Sequence, residues 1–163
     1  MEILDLVNEK DEIIGTASRE EVEEKGLLYR VAGVFVFIDG KLLIEKRSEN
    51  KKIRPGNYSI VEETVKSGET YENAALRGTR EETGLEIKHL KEVGRKIIRD
   101  KEYKDNFIIR VFKCYGGGEI IKQEEVDEIK FLNKNELKEL INSNKNKSPA
   151  LTETIEFLKE IKE

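Results

Sequence analysis

Residues 65–85 carry the strongest local pattern in this chain of 163 residues, a turn followed by a single helix. The turn centres on Gly68, and Thr70 is a suitable N-cap because its hydroxyl can accept a hydrogen bond from a free amide of the first turn. Gly84 marks the end of the helix, since glycine readily adopts the left-handed conformation that follows one. We therefore predict a helix between these two residues, with two adjacent alanines on its packed side and glutamates on its other side.

The glutamates of this segment are candidates for metal binding. Glu69 precedes the first helical turn, and Glu81 and Glu82 stand near the helix end. Hard cations such as Mg²⁺ take oxygen ligands, usually one or two carboxylates together with substrate phosphates. A metal held against a diphosphate is one interpretation. The alternative is a surface helix whose solvated glutamates pair with Arg77 and Arg80 at helical spacing.

The same segment resembles the Nudix box of the Nudix hydrolases. The matching residues are Gly68, Glu69, Arg77, Glu81, Glu82, Gly84 and Leu85, with the seven-residue spacing between the first glutamate and the arginine. The resemblance implies cleavage of a diphosphate linked to another moiety, with Mg²⁺ or Mn²⁺ as cofactor. It also implies that Glu69, Glu81 and Glu82 are metal ligands, that Glu81 and Glu82 belong to the catalytic set, and that Arg77 orients a carboxylate through a charge-assisted hydrogen bond.

Two working positions of the box differ from the family pattern. Gly78 stands where the family has a ligating glutamate, and Glu63, preceded by Glu62, stands where the family has glycine. Glycine inside a helix costs about 1 kcal/mol relative to alanine. We therefore expect Gly78→Glu to raise helix stability, and to raise hydrolysis at least about tenfold if a base or ligand is missing.

A strand carboxylate is a candidate replacement for the missing helix glutamate. Because neighbouring strand residues point to opposite faces, at most one of Glu62 and Glu63 can face the helix. We include Glu63 among the predicted metal ligands. The competing interpretation is that both side chains merely crowd the site and repel the other carboxylates.

The loop after the second predicted hairpin is rich in positive charge. Residues 48–57 follow a hairpin at 31–47, whose turn signal is Asp39-Gly40. We expect Lys46, Arg47 and Arg54 to contact an anionic substrate, although a solvated loop explains the same charges. An acidic run before residue 129 offers Glu125 or Glu128 as a further ligand by resemblance, and a solvated run is the alternative.

The order of the predicted elements indicates an α/β fold, a mixed sheet with helices on both faces. A hairpin and helix occupy 1–29, strands are expected at 58–65, 86–98 and 106–115, a helix runs to 141, and an amphipathic helix covers 150–162. This agrees with the α/β/α sandwich that the Nudix resemblance implies. We expect one Nudix domain over residues 1–163.

The composition limits the kinds of partner that this protein is expected to bind. The net charge is −4 with 39% charged residues, which does not indicate a nucleic-acid binder. A single cysteine, Cys114, excludes an internal disulfide and suits a reducing compartment. The sequence has no apolar run long enough to predict a membrane span. We therefore expect a cytoplasmic protein that acts on a small-molecule diphosphate, and a homodimer is possible.

Three functions are compatible with these residues. The first is a metal-dependent diphosphate hydrolase, whose activity the change to Gly78 is expected to weaken, and the second is a catalytically impaired binding protein on the same scaffold. The third is an isopentenyl-diphosphate isomerase-like enzyme, because residues 1–38 resemble that subgroup. The isomerase requires a cysteine facing a glutamate, and residues 48–70 contain no cysteine. The substrate is not specified by the box.

Overall fold

The computed structural model describes residues 1–121, 124 and 126–158. The strands are β1 (Ile3–Val7), β2 (Ile13–Ser18), β3 (Leu28–Ile38), β4 (Lys41–Arg47), β5 (Tyr58–Ser59), β6 (Val61–Thr64), β7 (Glu86–Asp100), β8 (Asp105–Gly117) and β9 (Val126–Leu132). The helices are α1 (Arg19–Lys25), α2 (Tyr71–Thr83), α3 (Lys134–Asn142) and α4 (Pro149–Thr152), followed by a 3-10 turn at Ile155–Phe157. None of the described helices is long and apolar enough to cross a membrane.

Seven strands form one mixed sheet around β3. The order is β5-β4-β3-β8-β7, with β6 also paired to β3 and β9 paired to β4, and β1 and β2 form a separate hairpin. Strand β3 runs parallel to β8, whereas its pairings with β4 and β6 are antiparallel. Strand β3 is apolar along almost its whole length, as expected for a strand covered on both faces.

Helices cover both faces of this sheet, which confirms the predicted α/β sandwich. On one face, α2 packs its alanines against Val34 and Val36 of β3. On the other face, α1, α3 and α4 contribute apolar side chains to the core that contains Phe35 and Phe37 of the same strand. The alternation of side chains along β3 divides its residues between the two cores.

The predicted helix after Gly68 forms with the predicted ends. The Thr70 hydroxyl accepts a hydrogen bond from the Asn73 amide at 3.0 Å. Gly84 adopts a left-handed conformation with φ of 72°, and its amide donates to the Arg80 carbonyl. Turn and cap chemistry therefore place α2 between the loop carrying Glu69 and the start of β7.

The C-terminal helix predicted at 150–162 is wrong within the described residues. Helix α4 ends at Thr152, and the chain continues as a 3-10 turn in which Phe157 packs on Gly94 of β7. The ring of Phe157 lies where a side chain at residue 94 would stand, at 2.6 Å from an added Cβ. Residues 159–163 lie outside the described part.

The strand predicted at 58–65 is divided into two strands, since β5 pairs with β4 and β6 pairs with β3.

Candidate active site

A charged cleft of about 500 Å³ lies between α2, β6 and the loop after β4. Four of its seven acidic lining residues belong to β6 and α2, and four of its seven basic lining residues belong to the end of β4 and the loop after it. The acidic lining residues are Glu2, Glu23, Glu62, Glu63, Glu81, Glu82 and Asp105. The basic lining residues are Arg19, Arg47, Lys51, Lys52, Arg54, Lys66 and Arg77. A cleft with both charges suits a ligand that is itself an anion bound with a cation.

Arg77 contacts glutamates from three different segments around the cleft. Its Nε and Nη2 donate to the two carboxylate oxygens of Glu69 at 2.8 and 2.9 Å. Its Nη1 lies 3.2 Å from Glu63 and 3.5 Å from Glu81, and Nη2 also donates to the Thr64 carbonyl at 3.0 Å. The predicted role of Arg77 in orienting carboxylates fits these contacts, because the planar guanidinium can serve several acceptors at once.

Two of the predicted ligands differ in their availability. Both oxygens of Glu69 accept from Arg77, one also accepts from the Lys66 amide, and the Arg77 hydrogen bonds lower the pKa of Glu69. Glu81 has a side chain that is 61% exposed and stands at the rim of the cleft. Glu69 therefore holds Arg77, and Glu81 faces solvent.

Glu82 instead faces a carboxylate that the sequence interpretation did not select, Glu45 on β4. The two carboxyl groups lie within hydrogen-bonding reach of each other. Burial raises the pKa of Glu45 to about 7, and burial together with the charge of Glu45 raises the pKa of Glu82 well above its usual value. The Oε2 atom of each residue is buried and has no hydrogen-bond partner. Two facing carboxylates with buried oxygens require either a shared proton or a cation.

Glu45 carries one local signal that sequence analysis could have used. It directly follows the buried run Leu42-Leu43-Ile44, and it is itself only 5% exposed. In register, Glu45 opposes Ile129 of β9, which packs in the core beneath α2. Its side chain therefore lies in the same layer as α2 and Glu82. That position depends on the pairing of β4 with a strand about 80 residues later, which no local pattern indicates.

Glu63 occupies the space next to Gly78. A Cβ added to Gly78 would lie 2.5 Å from Glu63 Cβ and 2.7 Å from Glu63 Cγ. The expectation that glutamate at residue 78 raises helix stability is therefore wrong, because even the first carbon of a side chain has no room there. Glu62 is held elsewhere, since it accepts from the Ser59 hydroxyl at 2.7 Å and lies 3.9 Å from Arg54.

The three basic side chains that we predicted to bind substrate differ in their burial and in their contacts. Arg54 is 4% exposed and contacts Asp105 at 2.8 Å and Asp100 at 3.0 Å. Arg47 lines the cleft but donates to the Ile53 and Arg54 carbonyls, and Lys46 lies 3.6 Å from Glu49. Lys46 does not line the cleft, whereas its neighbours Lys51 and Lys52 do. Arg47 and Arg54 therefore shape the loop that carries the two lysines.

The acidic run before residue 129 lies apart from this cleft in its described part. Glu128 accepts from the Tyr58 hydroxyl at 3.3 Å and pairs with Lys130 at 3.3 Å. It is not among the residues that line the cleft. Glu125 lies outside the described residues.

The donor set fits a hard divalent cation. Within the described residues, no three acidic, histidine or cysteine side chains are already gathered closely enough to hold a metal ion. The buried and unpartnered oxygens of Glu45 and Glu82 nevertheless offer two carboxylate ligands. Mg²⁺ commonly binds through one or two carboxylates and completes its shell with waters and substrate phosphates. This arrangement suits a metal that is bound together with substrate.

The chain resembles members of one protein family in both sequence and fold. Residues 27–153 match the family model described as the NUDIX domain. An uncharacterised Nudix hydrolase of Nostoc is 42% identical over 90 residues, which cover 53% of each chain. The chain spans about half the length of the first three curated relatives it matches, with 53%, 47% and 52% of each covered.

Two further similarities extend over most of the chain. Isopentenyl-diphosphate Delta-isomerase 2 of Photorhabdus laumondii is 35% identical over 154 residues, covering 87% of this chain and 83% of that protein. The crystal structure of DR0079 from Deinococcus radiodurans superposes with a TM-score of 0.75 at 24% identity, covering 97% of this chain and all of that one, which shows the shared fold. By its family model, its relatives and its fold, this chain belongs to the Nudix family.

Proposed function

We propose that this protein hydrolyses a diphosphate linkage in a nucleoside diphosphate derivative or a related organic diphosphate, with Mg²⁺ or Mn²⁺. The observation that carries this proposal is the pair of Glu45 and Glu82, each with a buried Oε2 atom that has no hydrogen-bond partner, beside a cleft that Glu82 lines together with other acidic and with basic side chains. Such a pair needs either a shared proton or a cation between its members, and a bound cation would replace the proton. Glu45 and Glu82 would take up the cation of a metal–diphosphate complex, and the basic residues that line the cleft would attract its anionic part.

The acidic and the basic residues of the cleft have different roles in this proposal. Water must reach phosphorus past negatively charged oxygens, so those oxygens need positive partners. Lys51 and Lys52 line the cleft and can attract the diphosphate. When bound, the divalent ion neutralises phosphate charge and lowers the pKa of its bound water. Glu45 and Glu82 would hold this ion.

The remaining carboxylates and Arg77 have separate roles in this proposal. Arg77 is a positioning residue, because it holds Glu63 and Glu69 in place through its guanidinium. Glu81 is the proton acceptor we assign, since its carboxylate is exposed at the rim of the cleft. A positioned base contributes about 10²–10⁴-fold to a hydrolysis rate. Glu69 as a metal ligand stays a prediction.

The test is an activity screen over nucleoside diphosphate derivatives and simple organic diphosphates with Mg²⁺ and with Mn²⁺. Wild type should release phosphate-containing products from at least one substrate, and Glu82→Gln should lower the rate by about 10²-fold or more. Glu72→Gln is the matched control, because Glu72 is exposed at the start of the same helix. Equal rates for wild type and Glu82→Gln would contradict the assignment of the site.

A catalytically silent binding protein is the second candidate. It is favoured by the absence, among residues 1–121, 124 and 126–158, of three side chains already gathered around one metal position. Calorimetry separates the two functions. A binding protein would take up a diphosphate with Mn²⁺ and release no product, whereas a hydrolase would consume it.

An isomerase is not proposed, although one relative bears that name. The single cysteine, Cys114, is fully buried in β8 and does not line the cleft. Residues 48–70, where the isomerase resemblance requires a cysteine, have none. A cytoplasmic location and a homodimer stay predictions from the sequence.

A further inference from the structure

Arg54 is a buried cation that joins two loops beside the cleft. It lies in the loop of residues 48–57, and its side chain is 5% exposed. Its Nη1 donates to Asp100 at 3.0 Å, and its Nη2 donates to Asp105 at 2.8 Å. These two aspartates pair in register and close the turn between β7 and β8. One guanidinium therefore attaches the loop after β4 to a distant turn of the sheet.

The backbone conformation of Arg54 indicates that its side chain is needed at this position. Its φ of 50° lies in the left-handed region, where a residue with a Cβ is strained and glycine is not. Two residues further along, the other left-handed position of this loop is Gly56, with φ of 68°. An arginine where glycine would cost less indicates that the ion pairs with Asp100 and Asp105 hold the backbone in this conformation.

A second arginine closes the loop on itself. Arg47, at the end of β4, donates to the Ile53 carbonyl at 2.9 Å and to the Arg54 carbonyl at 3.2 Å. Lys51 and Lys52 lie between these bonded residues and line the cleft. The position of the two lysines therefore depends on where the Arg54 link holds the loop.

The turn that binds Arg54 is itself held to the central strand of the sheet. The Tyr29 hydroxyl of β3 donates to Asp105 at 2.7 Å. Asp105 is 5% exposed and lines the cleft, whereas Asp100 does not line it. A change at Asp100 can therefore weaken the link without altering a side chain of the cleft.

We propose that Arg54 is a positioning residue that fixes Lys51 and Lys52 at the cleft, and that Asp100 acts on diphosphate affinity through this link from outside the cleft. The inference rests on the proposed function, because it assigns the loop lysines to the diphosphate bound in the same cleft. A loop that is ordered before the ligand arrives binds it more tightly, since ordering a mobile loop on binding costs affinity. A weaker link should lower affinity and leave the bond-breaking step unchanged.

The first experiment follows the loop without any ligand. Trypsin cleaves after lysine and arginine, so Lys51 and Lys52 offer it sites within the loop. Asp100→Asn keeps the shape of the side chain and removes its charge. Mass spectrometry should show cleavage after these lysines at least about tenfold faster in the folded variant than in wild type, the change in a local opening equilibrium expected when a hydrogen bond to a charged group is lost.

Two further variants separate this effect from a general loss of stability. Asp11→Asn removes a buried charge that pairs with Arg30 and Arg110, and none of these three residues lines the cleft. It should lower the thermal midpoint but leave trypsin cleavage in the loop near that of wild type. Asp100→Glu keeps the charge of the link and should protect the loop better than Asp100→Asn does.

The second experiment measures the consequence at the cleft. In calorimetry with inorganic diphosphate and Mg²⁺, Asp100→Asn should bind several-fold more weakly than wild type, because apparent affinity scales with the populated fraction of the binding-competent loop. For a substrate that wild type hydrolyses, KM should rise and kcat should stay unchanged. Asp11→Asn should bind diphosphate as wild type does.

The outcomes distinguish this inference from the proposed function. Equal cleavage of wild type and Asp100→Asn, or faster cleavage with equal diphosphate affinity, would overturn the inference and leave the hydrolase proposal standing. If wild type binds diphosphate but hydrolyses nothing, the hydrolase proposal fails, and a lower affinity of Asp100→Asn still supports the inference. Absence of diphosphate binding by wild type would overturn both. Faster loop cleavage together with a loss confined to affinity would support the inference, because a purely structural link would change stability alone.

Discussion

Arg77 contacts three glutamates that come from different parts of the chain. Glu63 belongs to β6, Glu69 to the turn before α2, and Glu81 to the next turn of the helix. The Arg77 side chain is 21% exposed and those of Glu63 and Glu69 are 19% and 17% exposed, so these two ion pairs are largely shielded from solvent, whereas Glu81 is exposed. A single residue therefore sets the relative positions of a strand, a turn and a helix at the cleft.

Replacing this arginine by lysine should weaken the fold as well as the site. Lysine keeps the charge of Arg77 but cannot donate the paired hydrogen bonds to Glu69. We expect Arg77→Lys to lower the free energy of unfolding by about 2 kcal/mol, the scale of hydrogen bonds to charged groups. Urea denaturation measures this change. Arg80→Lys, exposed on the same helix, should be neutral, and an equal loss in both variants would refute the role of Arg77.

At the scale of single elements, β8 places Cys114 in the core beneath α2. Its thiol is fully buried, and burial raises its pKa to about 12. A thiol of that pKa has almost no thiolate at neutral pH and is a poor nucleophile. We expect a thiol reagent such as a disulfide dye to modify Cys114 only as the protein unfolds in urea.

A neighbouring position provides the control for this prediction. Tyr115 follows Cys114 on β8 and is 46% exposed. In the variant Cys114→Ala/Tyr115→Cys, the thiol on the outer face should react rapidly in the folded protein. Rapid reaction of Cys114 itself without denaturant would show that β8 does not bury it, and would reopen a chemical role for the cysteine.

Local patterns predicted the elements whose ends are determined by neighbouring residues. Thr70 and Gly84 bound α2, and Asp39-Gly40 forms the β3–β4 turn with φ of 52° and 77°. The prediction of a C-terminal helix was wrong because of a contact between distant segments of the chain. Its apolar spacing suits a helix, but packing of Phe157 on Gly94 ends α4 early and replaces the next turn by a 3-10 turn. Contacts between distant segments are not visible in local spacing.

The same limit applies to the candidate site. Glu81, Glu82 and Arg77 could be selected because they share one helix with fixed spacing. Glu45 could not, because it meets Glu82 only after β4 and α2 are placed in adjacent layers. The fit between Glu63 and Gly78 was anticipated as a possible exchange of carboxylates, but the lack of room at residue 78 depends on the distance between β6 and α2.

At the scale of the whole molecule, Asp11 ties the N-terminal hairpin to the rest of the fold. Its side chain is 1% exposed, and it pairs with Arg30 of β3 at 2.8 Å and with Arg110 of β8 at 2.9 Å. The Tyr71 hydroxyl donates to the same carboxylate at 3.0 Å. One acid in a hairpin turn thus connects two strands of the sheet and the first residue of α2.

Removing the charge of Asp11 should loosen this connection. Asn tolerates the left-handed backbone of residue 11, whose φ is 64°, so Asp11→Asn changes charge rather than conformation. We expect a loss of about 3 kcal/mol in the free energy of unfolding, because two partly buried arginines lose their partner. Asp39→Asn is matched in backbone conformation at an exposed turn and should be nearly neutral. Similar losses in both variants would contradict this role.

The facing carboxylates of Glu45 and Glu82 are the centre of the account, and thermal denaturation of wild type and Glu45→Gln with and without Mn²⁺ tests them most directly. Without metal, Glu45→Gln should melt at a higher temperature than wild type, because the repulsion is removed and the glutamine amide can donate to Glu82. Mn²⁺ should raise the midpoint of wild type by mass action and raise that of Glu45→Gln far less. A lower midpoint for Glu45→Gln without metal, together with an undiminished Mn²⁺ shift, would contradict the claim that this pair is a cation site.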